Sequence, residues 1–178
     1  MSRLAHATAT IDRGPEPDGP GGAPSITALS ILVGGHPYLI DVMYVREIRG
    51  WSLPAPLPGG PPWVEGLCDL RGKIIPVISM VSRLGLDPTQ SAPTVTVVIE
   101  VQGRLLGVAV DGVSDLVSFP SDRLQPTPPA GGAAARELLS AVVELDGRVF
   151  GLVDFERIAT IDNVDGATPS DAGGDFHA

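Results

Sequence analysis

The stretch Val95-Thr96-Val97-Val98-Ile99-Glu100-Val101-Gln102-Gly103-Arg104-Leu105-Leu106-Gly107-Val108-Ala109-Val110 is apolar almost throughout and is broken once, at Gln102-Gly103. Short runs of β-branched and aliphatic residues bounded by turn formers read as strands covered on both faces. The glycine supplies the positive φ that a tight primed hairpin turn demands. Working outward, the same arrangement recurs. Ile31 to Val33 and Tyr38 to Val42 flank Gly34-Gly35, Gly66 to Leu70 and Ile74 to Ile78 flank Arg71-Gly72, and Ala141 to Leu145 and Val149 to Val153 flank Asp146-Gly147. Hairpins at this spacing between about Thr27 and Ile161, with no long helical period, predict an all-β fold built as a sandwich or small barrels. Helix is expected only over Ala133 to Leu139, with short turns near Ser79 to Leu84 and Asp154 to Ile158. Pro54, Pro56, Pro58, Pro61 and Pro62 predict an extended connection, since each fixes φ and removes a donor.

Three of these hairpins share a further feature: each second strand runs into an Asp followed by an apolar residue. Gly35 to Val42, Gly103 to Val113 and Gly147 to Phe155 place Asp41, Asp111 and Asp154 in corresponding positions. This weak internal repeat predicts two related β-units packed together.

The chain has 178 residues, enough to bury most of its surface in its own core. Its apolar content is 43% with only 4% aromatic, and 22 Gly and 18 Pro interrupt it, which favours short strands over long helices. A formal charge of −9 argues against a nucleic-acid binder, which concentrates Lys and Arg against phosphates, and against an anionic membrane surface. No apolar run approaches the roughly 18 residues needed to span a bilayer. The single cysteine, Cys68, has no partner for an internal disulfide and no signal peptide is evident, so the expected location is the cytoplasm. Residues 1–27 are rich in Gly and Pro without a hydrophobic period and are expected to be a disordered leader. Residues 162–178 carry Asp162, Asp165, Asp171 and Asp175 with no base, an acidic tail expected to be disordered.

Catalysis finds little support. Of His6, His36 and His177 only His36 falls in the expected folded part, in a Gly-Gly-His-Pro-Tyr turn, and no G-x-S-x-G elbow occurs. A hydrolase using His36 is the one enzymatic alternative. One cysteine with one usable histidine cannot build a metal site, and the acids are scattered singly, matching no calcium loop. The Gly72-Lys73 pair lacks the Ser or Thr and the preceding glycine of a phosphate loop. Cys68, on an expected strand, reads as a small buried hydrophobe rather than a reactive thiolate.

Residues Asp41 to Ile48 offer apolar β-surface instead. A two-residue period puts Met43 and Val45 on one face with Glu47; a three-residue spacing pairs Val42 with Val45 and Ile48. Both leave more apolar surface than one small barrel needs, which fits either core or a docking groove with aliphatic anchors and a charged rim.

Three segments in register, Tyr38 to Ile48 with its Asp-x-x-x-Val-x-Glu-Ile pattern, Trp63 to Ile78 with Gly-x-x-x-Leu-Arg-Gly-x-x-x-Pro, and Gly107 to Val117 with Val-Asp-Gly-Val, resemble the CheW family of bacterial chemotaxis coupling proteins. The likeness runs in order from about Ser30 to Ile161. It includes the proline-bounded Pro120 to Pro126 and the closing Leu152 to Ile158. It implies two packed five-stranded SH3-like β-barrels within residues 28–161, approximately 36–90 and 91–161, with strands exchanged between them as an open possibility. It further implies a non-enzymatic adaptor without cofactor or metal. Such an adaptor bridges the cytoplasmic tips of methyl-accepting chemoreceptors to the regulatory domain of the histidine kinase CheA, and is recruited to membrane-associated arrays without touching the membrane itself. The receptor-facing groove it implies comprises Val42, Val45, Glu47, Gly66, Arg71 and Val113, with Glu47 and Arg71 a characteristic charged pair. The plainer reading has Arg71 capping a turn and Glu47 facing water. Asp69 departs from the family's usual Asn and places a carboxylate where it can compete with Glu47 for Arg71. That departure motivates a divergent module binding only one partner as the alternative.

Overall fold

The primed turns expected at the glycines organise the whole chain. In a computed structural model, which describes residues 22–90, 92–129 and 132–161, all four turns carry positive φ at both central residues: 56° and 77° at Gly34-Gly35, 53° and 84° at Arg71-Gly72, 51° and 76° at Gln102-Gly103, 50° and 75° at Asp146-Gly147. That geometry matches the right-handed twist of the flanking strands, so each pair closes in register.

Ten strands result: β1 Ser25–Val33, β2 His36–Asp41, β3 Val45–Gly50, β4 Val64–Leu70, β5 Lys73–Ser79, β6 Val95–Val101, β7 Arg104–Val110, β8 Gly112–Pro120, β9 Leu139–Leu145 and β10 Arg148–Val153. Three short helices accompany them, α1 Met80–Arg83, α2 Ala133–Leu138 and α3 Phe155–Ile161. The strands form two five-stranded sheets in the orders β8-β1-β2-β10-β9 and β3-β6-β7-β5-β4. In each, two antiparallel hairpins meet along one parallel pair, β2 with β10 and β5 with β7.

The two sheets have the same plan, and the internal repeat is real at that level. A hairpin, a strand that crosses to the other sheet, a second hairpin and a helix occur twice in order, as β1–β5 with α1 and as β6–β10 with α3. The crossing exchanges strands, so the sheets are not the contiguous halves 36–90 and 91–161. One is built from β3 to β7, the other from β1 and β2 joined to β8, β9 and β10. The Asp correspondence also needs correcting. Asp41 ends β2 and Asp111 directly follows β7, each the second strand of a first hairpin, but Asp154 matches Ser79. Asp154 Oδ1 accepts from Arg157 N and Ser79 Oγ from Ser82 N, each capping the helix that follows.

Each sheet closes on itself through a single residue beyond its crossing strand. Ala55 exchanges two 2.8 Å backbone hydrogen bonds with Leu67 of β4, and Gln125 exchanges two of the same length with Val142 of β9. The expected leader, 1–27, ends too late: Ser25 to Thr27 pair with β8, Thr27 Oγ1 lies 2.9 Å from Ser118 Oγ, and Ile26 packs beside Phe119. The rest of the expected leader through residue 21, and the acidic tail, lie outside the described residues.

Alternation along the strands feeds separate cores. On β1, Leu29, Ile31 and Val33 enter a core shared by both sheets, while Ala28 faces the interior of its own barrel. On β6, Val97, Ile99 and Val101 enter the shared core and Val98 joins Leu70 and Ile75 inside the other barrel. This is why Val95 to Ile99 reads as apolar nearly throughout.

Truncating neighbours on one strand tests the arrangement. Val97→Ala and Val98→Ala each remove a valine that is almost wholly buried (0% and 1% exposed), and each should cost about 1.5–3 kcal/mol in urea unfolding. A strand with one solvated face would lose stability at only one of the two.

Candidate functional site

The segment Asp41 to Ile48 is not one strand. After β2, Asp41 Oδ1 accepts from Met43 N at 2.9 Å, and Tyr44 N and Val45 N donate to the carbonyls of Asp41 and Val42 at 3.1 Å each, making a tight turn. Val42 N donates to Thr27 O at 3.0 Å, which ties that turn to β1. Tyr44 leans edge-on against Phe155 of α3 with ring centroids 6.1 Å apart, and its hydroxyl lies 3.4 Å from Glu156 Oε1. Burial, then the nearby Glu156 carboxylate, push the Tyr44 phenol above its ordinary value.

β3 begins with a bulge. Val45 opposes Ile99 but Glu47 opposes Val98, so the two residues fall on different faces. The two-residue period is therefore not what forms. Val45 and Ile48, opposite Ile99 and Val97, share the other face, where Val45 packs against the common core and Ile48 stays half exposed. Arg46 is the extra residue of the bulge, with Glu47 just beyond it, and Arg46 Nε meets Glu100 Oε2 at 2.7 Å on the neighbouring strand.

Glu47 reaches across the seam where β3 and β4, the two edges of this sheet, approach one another. Its Oε2 lies 2.7 Å from Arg71 Nη2, at the β4–β5 turn, and its Oε1 lies 3.7 Å from Arg49 Nε. Arg49 Nη1 also reaches Asp69 O at 3.5 Å. Arg71 is 82% exposed, so the pair presents a cation to solvent from a largely covered carboxylate (21% exposed). The carboxylate of Asp69 is not the competitor the sequence suggested. Its Oδ1 accepts from Gly72 N at 2.7 Å and so braces the turn that carries Arg71.

Gly66 is buried in the same seam. Its φ is 148°, it follows a bulge opposite Val77, and a Cβ there would lie 2.2 Å from Ala55 O. Only glycine lets Ala55 approach closely enough to close the barrel. Val113, on β8 in register with Ile31, packs with Val45 and Tyr44 against the shared core. The six residues thus form two groups: Glu47, Gly66 and Arg71 along the seam, and Val45 and Val113 at the margin of the shared core, with Val42 in the turn leading to β3. Arg49 and Ala55 complete the seam and were not singled out from sequence. The alternation Glu47-x-Arg49 on one strand was the available signal for Arg49; for Ala55 there was none.

The remaining candidates occupy structural places. His36 opens β2 opposite Val33. Cys68 packs against Leu70, Ile75 and Val98, and burial pushes its thiol up, with Arg49 lowering and Asp69 raising it to lesser degrees. Among the described residues no group of three or more His, Cys, Asp or Glu is placed to hold a metal ion, and no helix is long and apolar enough to cross a membrane.

Comparison with known proteins gives a consistent result. The family model for the CheW-like domain matches residues 27–162. The chain is 33% identical over 133 residues to a chemotaxis protein CheW of Rhizobium meliloti, covering 73% of this chain and 84% of that one. It is 32% identical over 145 residues to a chemotaxis protein CheW of Klebsiella aerogenes, covering 76% and 86%. The crystal structure of the scaffolding protein TtCheW from Thermoanaerobacter tengcongensis superposes with a TM-score of 0.67 at 22% identity, over 72% of this chain and 88% of that one.

Three substitutions separate closure from charge. Gly66→Ala should lower stability by about 2 kcal/mol or more in urea unfolding, because the added Cβ meets backbone. A double-mutant cycle on Glu47→Ala and Arg71→Ala should return a coupling of only about 0–1 kcal/mol, as expected for a pair with one partner in water.

Proposed function

The chain belongs to the family of CheW-like domains, and from that premise we propose that it is a non-enzymatic adaptor of a chemotaxis or related chemosensory array, joining chemoreceptor cytoplasmic tips to the regulatory domain of a CheA-type kinase. The observation that carries the reading is the Glu47–Arg71 pair at 2.7 Å across the barrel seam. An exposed guanidinium adds little to folding, yet a fixed one adds specificity and orientation to a protein contact. Glu47 and the Asp69-braced turn hold Arg71 in place at the surface, and Val45 and Val113 supply an aliphatic flank at the margin of the shared core. A charged rim beside aliphatic anchors suits a helical partner. Recruitment to membrane-associated arrays then comes through the receptor rather than through this chain.

The structure weakens the motive for a one-partner module, because Asp69 serves its own turn instead of disputing Arg71. Modest affinities for each partner are expected, since arrays gain strength by multivalency.

Calorimetric titration of the full chain with a receptor-tip hairpin and, separately, with a kinase regulatory domain tests the proposal. Arg71→Glu should weaken the receptor contact about tenfold, equivalent to about 1.4 kcal/mol, and leave the kinase contact unchanged. The matched control is Arg123→Glu. Arg123 holds Glu144 O at 2.6 Å on the other sheet's seam, and its loss should leave receptor affinity intact. Kinase binding alone would favour the one-partner module, and binding to neither would overturn the adaptor reading.

A further inference from the structure

A groove of about 940 Å³ opens on the side of the β3-to-β7 barrel, between the proline-rich connection, β5 and the β6–β7 turn. Its walls are apolar: Trp63, Ile74, Leu105 and Leu106, with Ile74 64% exposed. Trp63 is held in position by Arg83 stacked over its ring at 4.6 Å, so this wall is preformed. Among the described residues, the charged ones lining the groove are Lys73 and Arg104, with no acid among them, in a chain whose net charge is −9. Ala159, in the last turn of α3, also lines it. Immediately beyond α3 comes the segment 162–178, with Asp162, Asp165, Asp171 and Asp175, no Lys or Arg, and a single aromatic, Phe176.

We propose that this acidic segment, 162–178, docks in the groove of its own chain, with Phe176 against the Trp63–Ile74–Leu105 wall and its aspartates beside Lys73 and Arg104. Charge sign, apolar content and tether all agree. The covalent tether keeps the segment near a groove that α3 already borders, at a local concentration in the millimolar range. Weak intrinsic affinity is then sufficient for occupancy. This holds whether or not the chain is a chemosensory adaptor, because nothing in it uses the Glu47–Arg71 seam.

The test uses the full chain with isotope-labelled methyl groups. A nitroxide on Ala172→Cys in a Cys68→Ser background should broaden the methyl signals of Ile74, Leu105 and Leu106 selectively. That broadening should vanish in Lys73→Glu/Arg104→Glu and in about 1 M salt, where exposed charges are screened. Phe176→Ala in the otherwise unaltered chain, a change that leaves both barrels untouched, should shift those same methyl signals. Broadening spread evenly over the surface, or no shift on Phe176→Ala, would overturn the proposal. So would broadening that appears only between labelled and unlabelled molecules mixed together, which would assign the segment to a second copy.

Discussion

A single apolar core shared by both sheets is the constraint on which the rest of the structure depends. Leu29, Ile31, Val33 and Ile40 from one sheet meet Ile78, Val97, Ile99, Val101, Leu106, Val108 and Val110 from the other, and all three helices add residues to the same cluster. Neither sheet can bury these side chains alone. The strand exchange reinforces the dependence, because β3 to β5 follow the first hairpin in sequence yet pair with β6 and β7. Parting the barrels would therefore expose the shared core and pull on every crossing connection. Burial at roughly 25 cal/mol per Å² makes that the largest favourable term available to the chain.

Closure of each barrel is the second layer, and it is where the candidate site lies. The Ala55–Leu67 and Gln125–Val142 bridges are equivalent in the two repeats, and an arginine follows the same logic at each, Arg49 reaching Asp69 O and Arg123 reaching Glu144 O. Among the described residues, the first seam alone adds a carboxylate, Glu47, that reaches an exposed guanidinium on a hairpin turn. The scaffold thus repeats while the two seams differ in the charges they carry. The bulge in β3 contributes by turning Glu47 toward the seam while Val45 stays against the shared core.

Local chemistry was legible in the sequence and non-local pairing was not. All four turns were readable because glycine is the residue that meets positive φ without strain. The apolar run Val95 to Ile99 announced burial on both faces. The start of β1 was missed because Ser25 to Thr27 are held by β8, far along the chain, and not by any local pattern. The bulge at Arg46 hid the correct face of Glu47, since a one-residue insertion defeats any fixed period. The exchange of strands between sheets leaves no trace in periodicity, so the sequence suggested approximate halves meeting near residue 90 and left the exchange as an open possibility, which the strand order settles. The charged pair of the site came from the family likeness, whereas its supports, Arg49, Ala55 and the Asp69 brace, became visible only once β3 and β4 were brought together.

The most direct measurement of the central claim is co-sedimentation of a CheA-type kinase regulatory domain with membranes bearing a matched chemoreceptor, with and without the full chain. The account predicts that the domain sediments only when the chain is present, and in proportion to it, because one molecule holds receptor and kinase at once. Sedimentation of the chain without the kinase domain, or of the kinase domain to the same extent in its absence, would contradict it.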